Sequence, residues 1–497
     1  MRHAAPAEPE RARTATFFIF DPTLTPEASH KPTEEEIADA KIIYYAPSHA
    51  PVEEKRSQVG LLEGLLSFTA IFSGEKGPLR NMRTRQMLFS VLEAEPHTWM
   101  VLAVRHAPTD GGGNNSVPDE EKLADSTLEA ILLNCYNVFR LLHGEIQPFV
   151  KGQSMHKLFD LLEDFIPAYL ETVYASDLGI FHEITGFRYG AVERNTCSSI
   201  HCFLSKLQED FPSIRHAALL YNAHLIFTTL ALSDMKVLYS YLVVFNGAVS
   251  NRKLNRGPFG RIPTAASQPG GGSSSFGRAF LLDDEEQFLF GMTRGVGGRG
   301  PASLFVPTVY LTNGGVGKLV ALMFHGIMLV LVFEDSTHID TRLLESVRTT
   351  CTQPTEDGLS LADLHPLIAS QYSQVMEQHE DEHRFIYYNH NNYALRLSSQ
   401  PAVSSRSLLS GVRSSQTPSL KPGERMALCR LHSALADPHL RCREVSWKSA
   451  DQGWICGKRW REREFYLLLD GNNMSLSKCQ EECARFAGMH FSSLFMM

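Results

Sequence analysis

The sequence predicts an α+β protein built from three units, each an antiparallel sheet packed with helices. Its length of 497 residues holds roughly three cores at about 100–200 residues per domain. Short aromatic and β-branched runs come in groups, followed by longer amphipathic stretches, which is the pattern of helices laid on antiparallel sheets. Two Gly-, Ser- and Pro-rich tracts, at 246–302 and 398–422, interrupt the second and third groups because such composition buries too little apolar area to offset chain entropy.

In the first unit, expected over 14–170 behind a disordered 1–13, Thr16–Phe20 and Lys41–Tyr45 read as strands bounded by Pro22 and Pro47. Glu53–Phe72 follows as a helix, Gln86–Leu92 and Trp99–Val104 as strands, Asp110–Pro118 as a loop, and Leu123–Leu142 and Met155–Tyr169 as helices. The second unit, 171–382, opens with a helix at Ser199–Glu209 and a hairpin over Ala217–Thr228 turning at Asn222-Ala223. Ser233 is placed to cap a helix reaching Phe245, with Met235, Leu238, Leu242 and Phe245 on one face. The tract 246–302 reads as a flexible insertion in which Phe280–Phe290 is apolar enough to dock. Strands resume at Leu304–Leu311, and helices at His338–Arg348 and Leu361–Glu377. The nearly all-apolar run Leu319–Phe333 is shorter than the about 20 residues of a membrane span. His325-Gly326 at its middle makes it a hairpin of two buried strands. The third unit, 383–497, has strands at Arg384–Tyr388, Gly453–Cys456 and Glu464–Leu469 and helices at Met426–Leu435 and Lys478–Ala487, with the Ser-rich linker 398–422 inside it.

Composition narrows the function. Apolar residues make up 43% and charged residues 21%, ordinary for a soluble globular chain. A net charge of −8 argues against nucleic acid as the partner, since such proteins carry a basic balance. Nine scattered cysteines do not form a disulfide framework and point to a reducing, cytoplasmic setting. The Ala-, Pro- and charge-rich stretch Met1–Arg13 lacks the apolar segment of a secretory leader.

No motif points to catalysis, a cofactor or a metal. Gly295, Gly297 and Gly300 have dinucleotide-fingerprint spacing, but a flexible tract precedes them and Pro301 follows where a helix should begin. Gly314–Lys318 resembles the end of a phosphate loop, yet Thr312 and Leu319 stand where a glycine and a magnesium-binding hydroxyl are required. Cys197, His201 and Cys202, and Cys479 and Cys483, lack matching second halves and read as buried structural thiols rather than zinc ligands. The basic cluster Lys458, Arg459, Trp460, Arg461 and Arg463 reads either as a solvated turn or as a contact for anionic lipid headgroups.

The helix expected over Glu53–Phe72 is the most informative element. Val59, Leu62, Leu66 and Ala70 form one stripe, and Leu61, Leu65, Phe68 and Phe72 a second, rotated by roughly a third of a turn. One stripe covers the unit's own sheet. The other is either covered by a neighbouring helix or is a docking face for a partner. Gly60 and Gly64 on the polar arc permit close approach of another backbone.

The segments TFFIFDP, KIIYYAPSHAPVEEKRSQVGLLEGLLSFTAIF, HTWMVLAVRHAP, AALLYNAHLIFTTL with ALSDMKVLYSYL, RFIYYNHNN and GWICGKRWREREFYLLL resemble, in this order, the CCZ family of vacuolar fusion proteins. The resemblance implies three longin domains and a heterodimer with the Mon vacuolar-fusion protein. It also implies guanine-nucleotide exchange on the late-endosomal Rab GTPase at late endosome and lysosome membranes, promoting endosome maturation and fusion, without covalent chemistry. Leu61, Leu65, Phe68 and Phe72 are then the candidate partner interface. The alternatives are a three-longin adaptor of another trafficking or planar-polarity complex, or an enzyme whose site carries no sequence signature.

Overall fold

Three antiparallel sheets follow one another along the chain, and their strands share one order. The computed structural model describes residues 15–26, 31–73, 79–85, 87–105, 125–152, 154–175, 180–190, 192–245, 287–293, 303–313, 315–354, 359–377, 383–398, 420–437, 439–449, 453–470 and 474–495. The expected loop Asp110–Pro118, the glycine pattern at 295–300, most of the insertion and most of the Ser-rich linker lie outside them.

The first unit contains β1 (Ala15–Phe20), α1 (Glu34–Ala40), β2 (Ile42–Ala46), α2 (Val52–Ser73), β3 (Asn81–Arg83), β4 (Met87–Glu95) and β5 (Thr98–Arg105). They are followed by α3 (Asp125–His143), α4 (Gln147–Lys151) and α5 (Met155–Ala175). The sheet order is β2-β1-β5-β4-β3. Successive side chains of a strand point to opposite faces, so Phe18 and Phe20 of β1 meet Val59, Leu62 and Leu66 of α2. Phe17 and Ile19 point the other way, into the core that α3 and α5 close.

The second unit comprises α6 (Ile180–Glu183), α7 (Arg194–Asp210), β6 (Ile214–Tyr221), β7 (His224–Thr228) and α8 (Leu232–Tyr239), which runs on as a π-helical turn over Ser240–Phe245. Next come β8 (Gln287–Thr293), β9 (Ser303–Phe305), β10 (Thr308–Tyr310), β11 (Val316–Phe324), β12 (Ile327–Glu334), α9 (Thr341–Thr352) and α10 (Leu361–Glu377). The order is β7-β6-β12-β11-β8-β9, with β10 also on β11. Asn222 and Ala223 have positive φ, 46° and 62°, as do His325 at 44° and Gly326 at 82°, so both hairpins close through the left-handed turns that suit strand twist. The run Leu319–Phe333 is therefore a buried hairpin, with Phe324 opposite Ile327. Among the described residues no helix is long and apolar enough to cross a membrane.

The third unit contains β13 (Arg384–Asn389), β14 (Ala394–Leu397), α11 (Pro422–Ala436), β15 (Glu444–Ser449), β16 (Gly453–Trp460), β17 (Arg463–Leu469) and α12 (Leu476–Phe495). Its sheet, β14-β13-β17-β16-β15, repeats the order of the first. α11 packs on one face and α12 on the other.

Several expectations are corrected. Part of the expected insertion is structure, since β8 pairs with β11 and buries Phe288, Leu289 and Phe290. Ile180 and Ile184 pack into the core of the third unit rather than the second. Ser233 does not cap α8: the helix starts earlier, with Ala231 at the N-cap and no side-chain hydrogen bond. Cys202 is exposed, not a buried thiol, because the buried face of α7 is Ile200, Phe203, Leu204 and Leu207. The rejection of the phosphate-loop likeness, by contrast, agrees with the structure: Lys318 lies in β11 and donates to the Thr337 carbonyl at 2.9 Å.

α3 joins the three units. Leu128, Ile131, Cys135, Val138 and Phe139 are buried, and the helix packs on β4, β10, α6, α8 and α11. Near its start lies a buried polar network. Thr127 and Ser126 donate to the Glu183 carboxylate at 2.6 and 3.0 Å. His432 of α11 stands between Glu183, 3.9 Å away, and Glu464 of β17, 2.7 Å away. Glu464 also takes Tyr466 Oη at 2.7 Å, His390 at 2.8 Å and Arg459 at 3.1 Å. Burial alone raises a carboxyl pKa, but bonds from His390, His432 and Tyr466 outweigh it and hold Glu464 well below the usual range. Burial pushes His432 down, yet the two carboxylates prevail and raise it.

Candidate partner-docking surface

The candidate site is built on α2, which at about 1.5 Å per residue is roughly 33 Å long. Three features fix the helix on its sheet. Val59, Leu62 and Leu66 are buried among Phe18, Phe20, Tyr45, Val91 and Val101. Lys41 pairs with Glu63, Nζ to Oε1 at 2.6 Å. Arg56 reaches Asp39 at 2.7 Å, Glu35 at 2.9 Å and Glu53 at 3.0 Å. The Arg56 hydrogen bond keeps the Asp39 carboxyl below its usual value despite some burial. α1, which supplies Glu35 and Asp39, is itself started by a capping box in which Thr33 Oγ1 accepts from Glu36 N–H and Glu36 accepts from Thr33 N–H. The neighbouring helix thus holds the polar arc of α2 and leaves the second apolar stripe uncovered.

That stripe faces outward. Leu61 is 50% exposed, Phe68 59%, Ile71 76% and Phe72 72%, while Leu65 is half-buried at its edge. The rings of Phe68 and Phe72 touch each other, with centroids 4.7 Å apart. A side chain built at Gly60 or Gly64 would meet no atom within 4 Å, so a partner's backbone has room to approach. Large exposed apolar clusters are the kind of surface that protein partners commonly cover. Sequence periodicity missed Ile71, although three residues after Phe68 is a same-face position. It also placed Ala70 on the buried stripe. Ala70 is exposed, because from Ser67 to Phe72 no residue of α2 is buried.

The basic cluster lies on the β16–β17 hairpin. Lys458 pairs with Glu444 at 3.3 Å and Arg459 with the buried Glu464 at 3.1 Å. The Trp460 ring stacks under the Arg443 guanidinium, 5.1 Å from its centroid. Arg461 is exposed at the turn, with φ 53°, and Arg463 pairs across the ladder with Trp460. Much of the cluster's charge is engaged within the unit, which leaves less for a lipid surface than composition alone implies. Among the described residues no group of three or more His, Cys, Asp or Glu is arranged to hold a metal ion.

Residues 14–144, the unit that carries α2, match the family model described as the First Longin domain of INTU, CCZ1 and HPS4. Along the whole chain the similarity is to proteins named Vacuolar fusion protein CCZ1 homolog. The one from Danio rerio is 24% identical over 498 residues, covering 97% of this chain and 95% of that protein. The one from Xenopus laevis is 24% identical over 499 residues, 97% of each. The one from Dictyostelium discoideum is 22% identical over 473 residues, 92% of this chain and 93% of that protein.

Proposed function

We propose that this chain, whose likeness to the CCZ vacuolar fusion proteins runs along nearly its whole length, is a non-catalytic subunit of a guanine-nucleotide exchange factor. Its partner in the heterodimer is a Mon-type longin protein, its target the late-endosomal Rab GTPase, and its place the surface of late endosomes and lysosomes. The observation that carries the reading is the bare second stripe of α2, on the unit that matches the longin model. A partner longin domain seated there would cover Leu61, Leu65, Phe68, Ile71 and Phe72 and complete a two-domain platform. Exchange on such a platform needs no covalent step. A complex that binds the nucleotide-free GTPase more tightly than the loaded form lowers nucleotide affinity by the same factor, because the two equilibria are linked. Deforming switch loops held by phosphate and magnesium is one way to do so.

The test is the double substitution Leu61→Asp and Phe68→Asp in the full chain, both at exposed positions of the stripe. Co-purification with a Mon-type partner is lost, nucleotide release from the late-endosomal Rab returns to its intrinsic rate, and the thermal midpoint of the chain alone stays close to the parent's. Retained co-purification rules out this face as the interface.

A second reading has support in the same family description, which joins INTU and HPS4 to CCZ1. In it the chain is a three-longin adaptor without exchange activity. Nucleotide-release kinetics on a panel of Rab GTPases, with and without the Mon-type partner, separate the two.

A further inference from the structure

Three of the third unit's five cysteines, none of them part of the proposed exchange surface, meet between its sheet and its last helix. Cys456 lies within β16, and Cys479 and Cys483 lie one turn apart on α12. All three are buried. Spacing of four places the two helical thiols on one face, which packs against Phe385, Phe465 and Leu467 of the sheet. The sulfurs of Cys456 and Cys479 are 2.9 Å apart, closer than two sulfurs in van der Waals contact. The Ser446 hydroxyl donates to Cys456 Sγ at 3.7 Å. Hydrogen bonds from Cys483, against the effect of burial, and from Cys479 and Ser446 lower the Cys456 thiol below its ordinary value. Burial and the neighbouring Cys456 push the Cys479 thiol up. One sulfur is therefore stabilised as thiolate with a thiol in contact, the arrangement of an attacking and a resolving cysteine.

We propose that Cys456 and Cys479 form a peroxide-responsive thiol pair whose oxidation ties α12 to the sheet of the third unit. The Cys456 thiolate attacks one oxygen of hydrogen peroxide. The S–O bond forms, the O–O bond breaks, and hydroxide leaves, taking a proton to become water. Cys479 then attacks the sulfenic sulfur. The S–S bond forms, the S–O bond breaks, and a second water leaves with the Cys479 proton. Two thiols are oxidised and one peroxide is reduced to two waters. α12 is held to the sheet by one apolar face, so opening of this single element admits an oxidant as small as peroxide.

The full chain is treated with hydrogen peroxide, blocked with iodoacetamide and digested with trypsin. Cleavage after Lys448, Lys458, Lys478 and Arg485 puts Cys456 in peptide 449–458 and both helical cysteines in 479–485. The expected product is these two peptides linked, two hydrogens lighter than their sum, separated by dithiothreitol, with fragment ions assigning the link to Cys479. The oxidised chain also unfolds at a higher temperature than the reduced one. Cys456→Ser abolishes both effects. If that variant does not fold, Cys479→Ala, which keeps the attacking thiol, must leave peptides 449–458 and 479–485 unlinked, and a link retained through Cys483 overturns the pair. The proposal is overturned if peroxide oxidises the exposed Cys202 without producing the linked peptides. It is equally overturned if Cys456 ends as a sulfinic acid, or if it links to any cysteine other than Cys479.

Discussion

Glu464 is fully buried and takes hydrogen bonds from two histidines and a tyrosine beside an arginine. Removing one member of a buried charged network leaves the others uncompensated, at a cost of about 3–5 kcal/mol. Glu464→Gln is therefore expected to destabilise the chain by that order, measured by urea unfolding at pH 7. The pH dependence has two parts of opposite sign. His432 is raised above its ordinary value, so its contribution is fully present below about 6.5 and is lost as pH rises through the folded value. Glu464 is lowered, so its contribution is present above about 4.3 and is lost as pH falls through the folded value. Thermal midpoints should drop on raising pH past neutrality in the parent chain, and His432→Gln should remove that drop; an equal drop in both would disprove the assignment. None of this was legible in the sequence. Ser126, Glu183, His390, His432 and Glu464 have no common spacing, and only the packing of three units brings them together.

α2 separates two kinds of apolar residue on one helix. Phe68→Ala should change unfolding free energy by no more than about 0.5 kcal/mol, as for other surface positions, whereas Leu62→Ala should cost about 2–5 kcal/mol. Chemical denaturation of the chain without its partner checks both; equal costs would mean that the second stripe is covered. Helical periodicity revealed both stripes because a 3.6-residue repeat separates faces by angle. It misplaced Ala70 because angle says nothing of where the sheet ends. The long helices and the central strands were legible for a similar reason, being rich in buried apolar residues. β15, with the sequence EVSWKS, was missed because an edge strand is half-exposed and mixed in polarity. The apolar Phe280–Phe290 marked a docking segment, but the Gly- and Ser-rich residues around it hid that its end is a strand, β8, paired with β11.

At the scale of the molecule, α3 belongs to no single unit. Its buried residues lie in a core that also contains Leu220, Leu238 and Leu319 of the second unit, and Thr127 faces Cys429 of the third at 3.7 Å. Phe139→Ala, which truncates a residue 1% exposed, should cost about 3–5 kcal/mol. It should lower the melting of all three units together, so that circular dichroism and limited proteolysis report one transition. A fragment of residues 14–175, which keeps α5, is expected to bind hydrophobic dye and aggregate, because it exposes the face of α3 that β10, α8 and α11 cover. A soluble, cooperatively folded fragment would show that the first unit is independent. The count of three was legible from length and from the recurring groups of strand and helix signals. The sharing of α3 was not, since its sequence marks it only as apolar on a broad face.

The common strand order carries a consequence for how the chain is made. In each unit the first strand lies one in from the edge of the sheet, between the second strand and the last. A nascent unit therefore cannot finish its sheet until its final strand has left the ribosome. In the second unit β6 ends at Tyr221 and β12 begins only at Ile327, so at about 5–20 residues per second the inner edge of β6 waits on the order of 5–20 seconds for its partner. During that interval Ala218, Leu219 and Leu220 offer an open, apolar edge. The middle of the chain is thus where translation speed and chaperone cover weigh most on the yield of folded protein.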